Sequence, residues 1–140
     1  MFFNLLTDSD DSKISLDHFV TMWFSQWPGT SNSTSITVPM VGGPYDADWN
    51  NDGIFDEFGL YDSVTHDFGV AGIHTIRIRG SYNAISFSDG RDKLEIFSVD
   101  QWRSNAWTTM ANAFHGAANL EIPATDTPDF SAVTDMSLLY

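Results

Sequence analysis

Between residues 18 and 100 no apolar pattern runs for long: short alternating stretches are cut at roughly ten-residue intervals by Gly, Asp, Asn or Pro. That spacing suits antiparallel strands joined by turns and leaves no room for a strand–helix–strand crossover. The clearest stretch is Gly72-Ile73-His74-Thr75-Ile76-Arg77-Ile78-Arg79-Gly80, where Ile76 and Ile78 share a face with His74. Arg77 and Arg79 point the other way with Ile73 and Thr75, so one face is apolar and the other basic. Residues 18–25 carry the β-branched and aromatic density of a strand and stop at Trp27-Pro28-Gly29. In residues 35–40, Ile36, Val38 and Met40 alternate with polar positions, and Pro39 marks an edge or the end of pairing. Residues 82–87 and 94–99 repeat the alternation about Ser88-Asp89-Gly90-Arg91 and predict a hairpin. The expected fold is mainly β, an antiparallel sandwich over residues 18–100.

The pattern changes after residue 100. Trp107, Met110 and Phe114 fall on one helical stripe, so residues 101–140 are expected to form a short helical, repeat-like cap on the sandwich. Within this tail a shift of 26 residues pairs Trp107 with Val133, Thr108 with Thr134, Met110 with Met136 and Phe114 with Tyr140. A period of that length belongs to stacked repeats, in which one unit cannot bury its apolar face without a neighbour. Residues 1–17 are polar after Met1-Phe2-Phe3 and are expected to form an arm that orders against a partner or an edge strand.

Charge narrows the partners. Six basic and nineteen acidic side chains give a formal net charge of −13, which argues against phosphate backbones and anionic lipid as ligands. Eleven of the acids and only Lys13 among the bases lie in residues 1–76, while Arg77, Arg79, Arg91, Lys93 and Arg103 cluster within residues 77–103. The acidic half and the basic face are therefore expected to meet between subunits in a salt-sensitive multimer. With no cysteine, disulfides, thiolate zinc sites and a cysteine nucleophile are excluded. No apolar run reaches membrane-spanning length, and the short opening segment runs into Asp8, Asp10 and Asp11, unlike a signal peptide. Membrane insertion is not expected.

The densest polar cluster is Asp46, Asp48, Asn50, Asp52, Asp56 and Glu57, with Gly53 directly after Asp52. Oxygen ligands at alternate positions followed by a glycine are how a loop wraps calcium, and Asp48, Asn50, Asp52, Gly53 and Asp56 match places 1, 3, 5, 6 and 9 of such a loop. Place 12, where a bidentate glutamate is expected, is Gly59. The competing reading is an Asp-rich turn whose carboxylates accept from backbone N–H groups, with Trp49 packed inward. His66 reads as a packing histidine, His74 lies on a strand, and His18 and His115 are isolated; no pair has metal-ligand spacing. Nucleophile-elbow, phosphate-loop and dinucleotide signatures are absent, and carboxylates are plentiful without a pattern that singles out an acid–base pair. No enzymatic activity is expected. Among the tryptophans, Trp27, beside Pro28-Gly29, is the one expected to be exposed and to offer a stacking surface for a sugar ring.

Two segments carry a family resemblance. Tyr45-Asp46-Ala47-Asp48-Trp49-Asn50-Asn51-Asp52-Gly53, followed by Val64-Thr65-His66-Asp67-Phe68-Gly69-Val70-Ala71-Gly72-Ile73-His74-Thr75-Ile76-Arg77-Ile78, resembles the PKD-like, immunoglobulin-type sandwich. Trp107-Thr108-Thr109-Met110 through Asn119-Leu120, with Val133-Thr134-Asp135-Met136-Ser137, resembles the leucine-rich repeats of BspA-like bacterial surface proteins. The two in this order resemble the N-terminal region of that family, although its long repeat array is missing. The resemblance implies adhesion or structure at an extracellular, cell or virion surface, in either a BspA-like surface protein or a phage capsid or tail decoration. The expected interaction residues are Trp27, Arg77 and Arg79 with the apolar tail Met136, Leu138, Leu139 and Tyr140. The alternative is a calcium-dependent carbohydrate-binding module.

Overall fold

A computed structural model describes residues 18–102, 105–137 and 139. The arm at residues 1–17, Arg103, Leu138 and Tyr140 lie outside the described residues. The chain is mainly β, built from nine described strands: β1 (Phe19–Phe24), β2 (Ser35–Val38), β3 (Met40–Val41), β4 (Tyr45–Asp48), β5 (Glu57–Leu60), β6 (Val64–Asp67), β7 (Ile73–Gly80), β8 (Ala84–Ile85) and β9 (Ile96–Gln101).

The principal sheet is antiparallel in the order β9-β1-β7-β4-β5. Its centre is β7, the stretch with the strongest alternation, and it pairs along one side with β1 from Phe19 opposite Ile78 to Phe24 opposite Ile73. On its other side Tyr45 faces Gly80 and Asp48 faces Arg77. Two antiparallel ribbons, β2 with β6 and β3 with β8, complete the strands. Pro39, which has no N–H to donate, separates β2 from β3. Alternation explains the core: Ile36, Val38, Met40 and Ile85 from the ribbons join Phe19, Trp23, Ile76 and Ile78 from the principal sheet in one buried cluster.

The predicted hairpin does not form. Ala84 and Ile85 pair with β3, and Ile96–Gln101 pairs with β1. Ser88, Asp89 and Arg91 all adopt positive φ, so this is no two-residue turn, and Phe87 folds inward against Trp23 and Phe114.

The predicted helical cap is also replaced. Among the described residues there is no helix; residues 105–118 form turns and extended chain, broken by Asn112 and Gly116 at positive φ. Ala113, His115 and Ala117 N–H groups close single turns on Met110, Asn112 and Phe114, while others reach neighbouring coils. Thr108 donates to the Asn83 carbonyl, Met110 to that of Asp135, Asn112 to that of Ser137 and Phe114 to that of Leu139. Phe87, Ser88 and Asp89 donate to the carbonyls of Ala113, Asn112 and His115, Glu121 N donates to Phe97 O, and Val99 N donates to Glu121 O. Parallel bridges join Ser98 to Glu121 and Ala106 to Asp129. The tail is thus a stack of three tiers, near residues 83–99, 106–124 and 129–139. The bond from Met110 N to Asp135 O sets Met110 beside Met136, the pair linked by the 26-residue shift.

The tiers share the core of the sheets. Trp107 is fully buried, with its ring against Phe19, Tyr82 and Trp102. Trp107→Ala is expected to lower the free energy of urea unfolding by about 3–5 kcal/mol. Met136→Ala, on the outermost tier and 45% exposed, is expected to cost less than about 1 kcal/mol. Equal costs for the two would show that the sheet and the tiers are not joined through Trp107.

Candidate functional site

The acidic loop follows β4, whose pairing with β7 brings Asp46 and Asp48 opposite Arg79 and Arg77. Asp48 is fully buried and accepts from the backbone N–H groups of Asp52 and Gly53, Gly53 lying at positive φ. Burial raises its pKa, and the two backbone donors work against that shift. Asp52 accepts from Ile54 N, Asp56 from Trp49 N, and Glu57 from the Trp49 indole. Asp46 accepts from Gly59 N and, at 2.9 Å, from Arg79 Nε. Asn50 is exposed beside a groove lined by Trp49, Asp56, His66 and Phe68. The six residues thus lie along β4, the following loop and the start of β5, and all five carboxylates accept hydrogen bonds from N–H groups. No group of three His, Asp or Glu side chains among the described residues converges to hold a metal ion.

The arginines are held by the same loop. Arg77 is 8% exposed, donating from Nε to Asn51 at 2.8 Å and lying 3.2 Å from His18 Nδ1. The Arg79 guanidinium sits 3.9 Å above the Phe55 ring. The acidic half and these two bases therefore meet within one chain, where strand register sets them face to face. Two further bases of that stretch among the described residues also have local partners: Lys93 pairs with Asp89, and Arg91 donates to Ser63. His66 stacks on Trp49 at 4.5 Å, and burial, the largest influence, lowers its pKa.

Trp27 is half-buried, edge-on to Phe24 and Phe97. With Phe97 it floors a groove of about 420 Å³ whose walls include Asp100, Asn119 and Glu121. A second cavity, of about 210 Å³, is lined by Trp102, Met110, Phe114, Ile122, Phe130 and Leu139. Met136 lies exposed on this outermost tier, and Leu139 packs partly against the core. Asp129 and Asp135 each accept from the backbone and hydroxyl of a serine two residues on, which holds both carboxylates below their usual pKa.

One pair of side chains was not singled out by sequence reasoning. The irregular segment between β8 and β9 turns Asp92 and Glu95 inward, and both are fully buried. Asp92 accepts five hydrogen bonds from Thr30, Ser31 and Thr37, whereas neither Glu95 carboxylate oxygen has a partner. Burial, with a smaller push from Asp92, raises the Glu95 pKa to about 8. The available signal was the i, i+3 acidic spacing, which looks like any surface turn until the loop at residues 29–31 covers it.

No protein family, curated protein or solved structure matches the chain.

Because the folded pKa of Glu95 lies above its ordinary value of 4.5, its favourable contribution is complete at low pH and disappears as pH rises toward 8. In EDTA, urea unfolding is expected to show stability falling across that interval with a slope of up to one proton. Glu95→Gln is expected to remove that slope. A slope that survives the substitution would assign the titration to another group.

Proposed function

We propose that this chain is a non-enzymatic structural or adhesive surface module that works by protein–protein contact through the outermost tier of its stack. The observation that carries the reading is the apolar cavity lined in part by Phe130 and Leu139 of the third tier, with Met136 exposed on the same tier. Stacked coils bury their apolar sides against neighbours, and an apolar cavity beside an exposed methionine suits contact with a further layer. The antiparallel sheets that feed one core suit a PKD-like, immunoglobulin-type sandwich, and the coil spacing suits the BspA-like repeats that the tail resembles. On this reading the protein acts at a cell or virion surface, as a bacterial adhesin segment or a phage capsid or tail decoration.

Assembly through this tier rests on apolar contact, since Arg77 and Arg79 already have partners within the chain. Sedimentation velocity is expected to show concentration-dependent association that persists at high salt, because screening weakens exposed charge pairs and leaves apolar burial intact. Met136→Asp is expected to weaken association at least tenfold while leaving the unfolding midpoint within about 2 °C, as befits a surface substitution. A chain that stays monomeric at every concentration and salt level would refute the reading.

The groove over Trp27 and Phe97 supports a second reading, a carbohydrate-binding module. An aromatic floor flanked by Asp100, Asn119 and Glu121 offers a stacking surface and polar groups for sugar hydroxyls. Under this reading Trp27→Ala abolishes binding on a glycan array with unchanged melting. Destabilisation without any glycan signal in the parent chain would assign Trp27 to packing alone.

A further inference from the structure

We propose that β5, the outer strand of the principal sheet, is a docking edge that takes an added strand from a partner protein, a segment with basic side chains around an apolar centre. Among the described residues β5 has a strand neighbour on one side only, β4, so the ladder does not use the N–H and C=O groups along its other side. The strand is uncovered as well as unpaired. Glu57, Phe58 and Gly59 are all exposed, and a Cβ added at Gly59 would meet no atom within 4 Å. Phe58 is 62% exposed and Tyr61, just beyond the strand, 60%. Two large rings beside an open edge give an incoming strand apolar surface to cover.

Charge names the kind of partner. Residues 45–67 hold seven carboxylates and neither Lys nor Arg. Asp46 and Asp48 face Arg79 and Arg77 across the register, which leaves Asp52, Asp56, Glu57, Asp62 and Asp67 on β5 and the segments that flank it. Among the described residues the one ion pair these five make is Glu57 with His66 at 3.9 Å, and burial lowers the His66 pKa, so that imidazole is neutral at pH 7. From outside β7, Arg91 reaches this stretch through Ser63 and leaves the local balance negative. Each of the five accepts from an N–H group, which fixes the carboxylate without cancelling its charge. They act as a negative field along the edge rather than as ligands for an ion.

The same charge argues against a second copy as the occupant. A symmetric antiparallel pairing centred on Gly59-Leu60 would set the Glu57 of each copy directly opposite the Asp62 of the other, and like charges so placed destabilise a strand pair. Lys or Arg at the two ends of an incoming strand meets Glu57 and Asp62 instead, while apolar residues between them cover Phe58 and Tyr61. The proposal does not depend on association through the outermost tier, which is apolar and involves no residue of β5.

A capped peptide of alternating lysine and valine, about eight residues long, titrated into the full chain by calorimetry tests the edge. One peptide is expected to bind per chain with a Kd below about 1 mM, and more weakly as salt is raised. The glutamate–valine counterpart is expected to bind at least tenfold more weakly. Amide hydrogen exchange at residues 57–61 is expected to slow about tenfold in the saturated complex, because newly paired N–H groups are withdrawn from water. Phe58→Lys, a surface substitution, is expected to keep the unfolding midpoint within about 2 °C and to weaken the lysine–valine peptide about tenfold. Absence of binding in the parent chain overturns the proposal, as does equal binding of the glutamate–valine peptide, binding that leaves exchange at residues 57–61 unchanged, or undiminished binding by Phe58→Lys. Self-association lost in Phe58→Lys and kept in Met136→Asp overturns it in favour of a second copy on this edge.

Discussion

The packing of Trp107 against Phe19, Tyr82 and Trp102 is the contact through which the rest of the molecule becomes one body. Phe19 begins β1 beside the central strand, Tyr82 follows that strand, and Trp102 follows β9; the indole therefore closes the sheet and starts the stacked tail. Aromatic pairs of this geometry contribute about 0.5–1.5 kcal/mol each beyond the area they bury. They also hold residues 105–118 at a distance where backbone N–H groups meet the carbonyls of adjacent coils. A helix there would satisfy its own backbone and break this ladder, so packing of the tryptophan and extended chain are two aspects of one constraint.

The same logic governs charge. The chain has a large acidic excess, but its most concentrated acids lie next to β7, where antiparallel register sets Asp46 and Asp48 opposite Arg79 and Arg77. Loop carboxylates then accept from loop N–H groups, which would otherwise be buried without partners. What reads in sequence as a ligand set and a basic docking face becomes a covering layer over one side of the sheet. The surfaces proposed for partners are the outer tier with Met136, the groove floored by Trp27 and the open edge at β5.

Glu95 is the exception to this economy of partners. Around it the protein has excluded water, basic side chains and backbone donors, while giving its neighbour Asp92 a full set. Asp92 links the loop after β1 to the turn that precedes β9.

Local periodicity was enough to locate β1, β2 and β7, to assign Ile76 and Ile78 to the core, and to detect the kinship of Met110 with Met136. A two-residue alternation or a 26-residue echo is written into the order of side chains, and the chain as a whole need not be consulted. Partner choice was not written there. The alternation of residues 82–87 and 94–99 is compatible with a hairpin, yet the two segments pair with β3 and β1, and Phe87 is buried in the core. The stripe of Trp107, Met110 and Phe114 fits a helix equally well as a coil, until carbonyls about 25 residues away offer the hydrogen bonds that extended strands require. Tertiary contact likewise decided that Arg77 is covered, that the acids of residues 46–57 face their own backbone, and that Glu95 lies in the dark. Burial depends on which distant segment lies across a residue, and strand pairing alone supplies that.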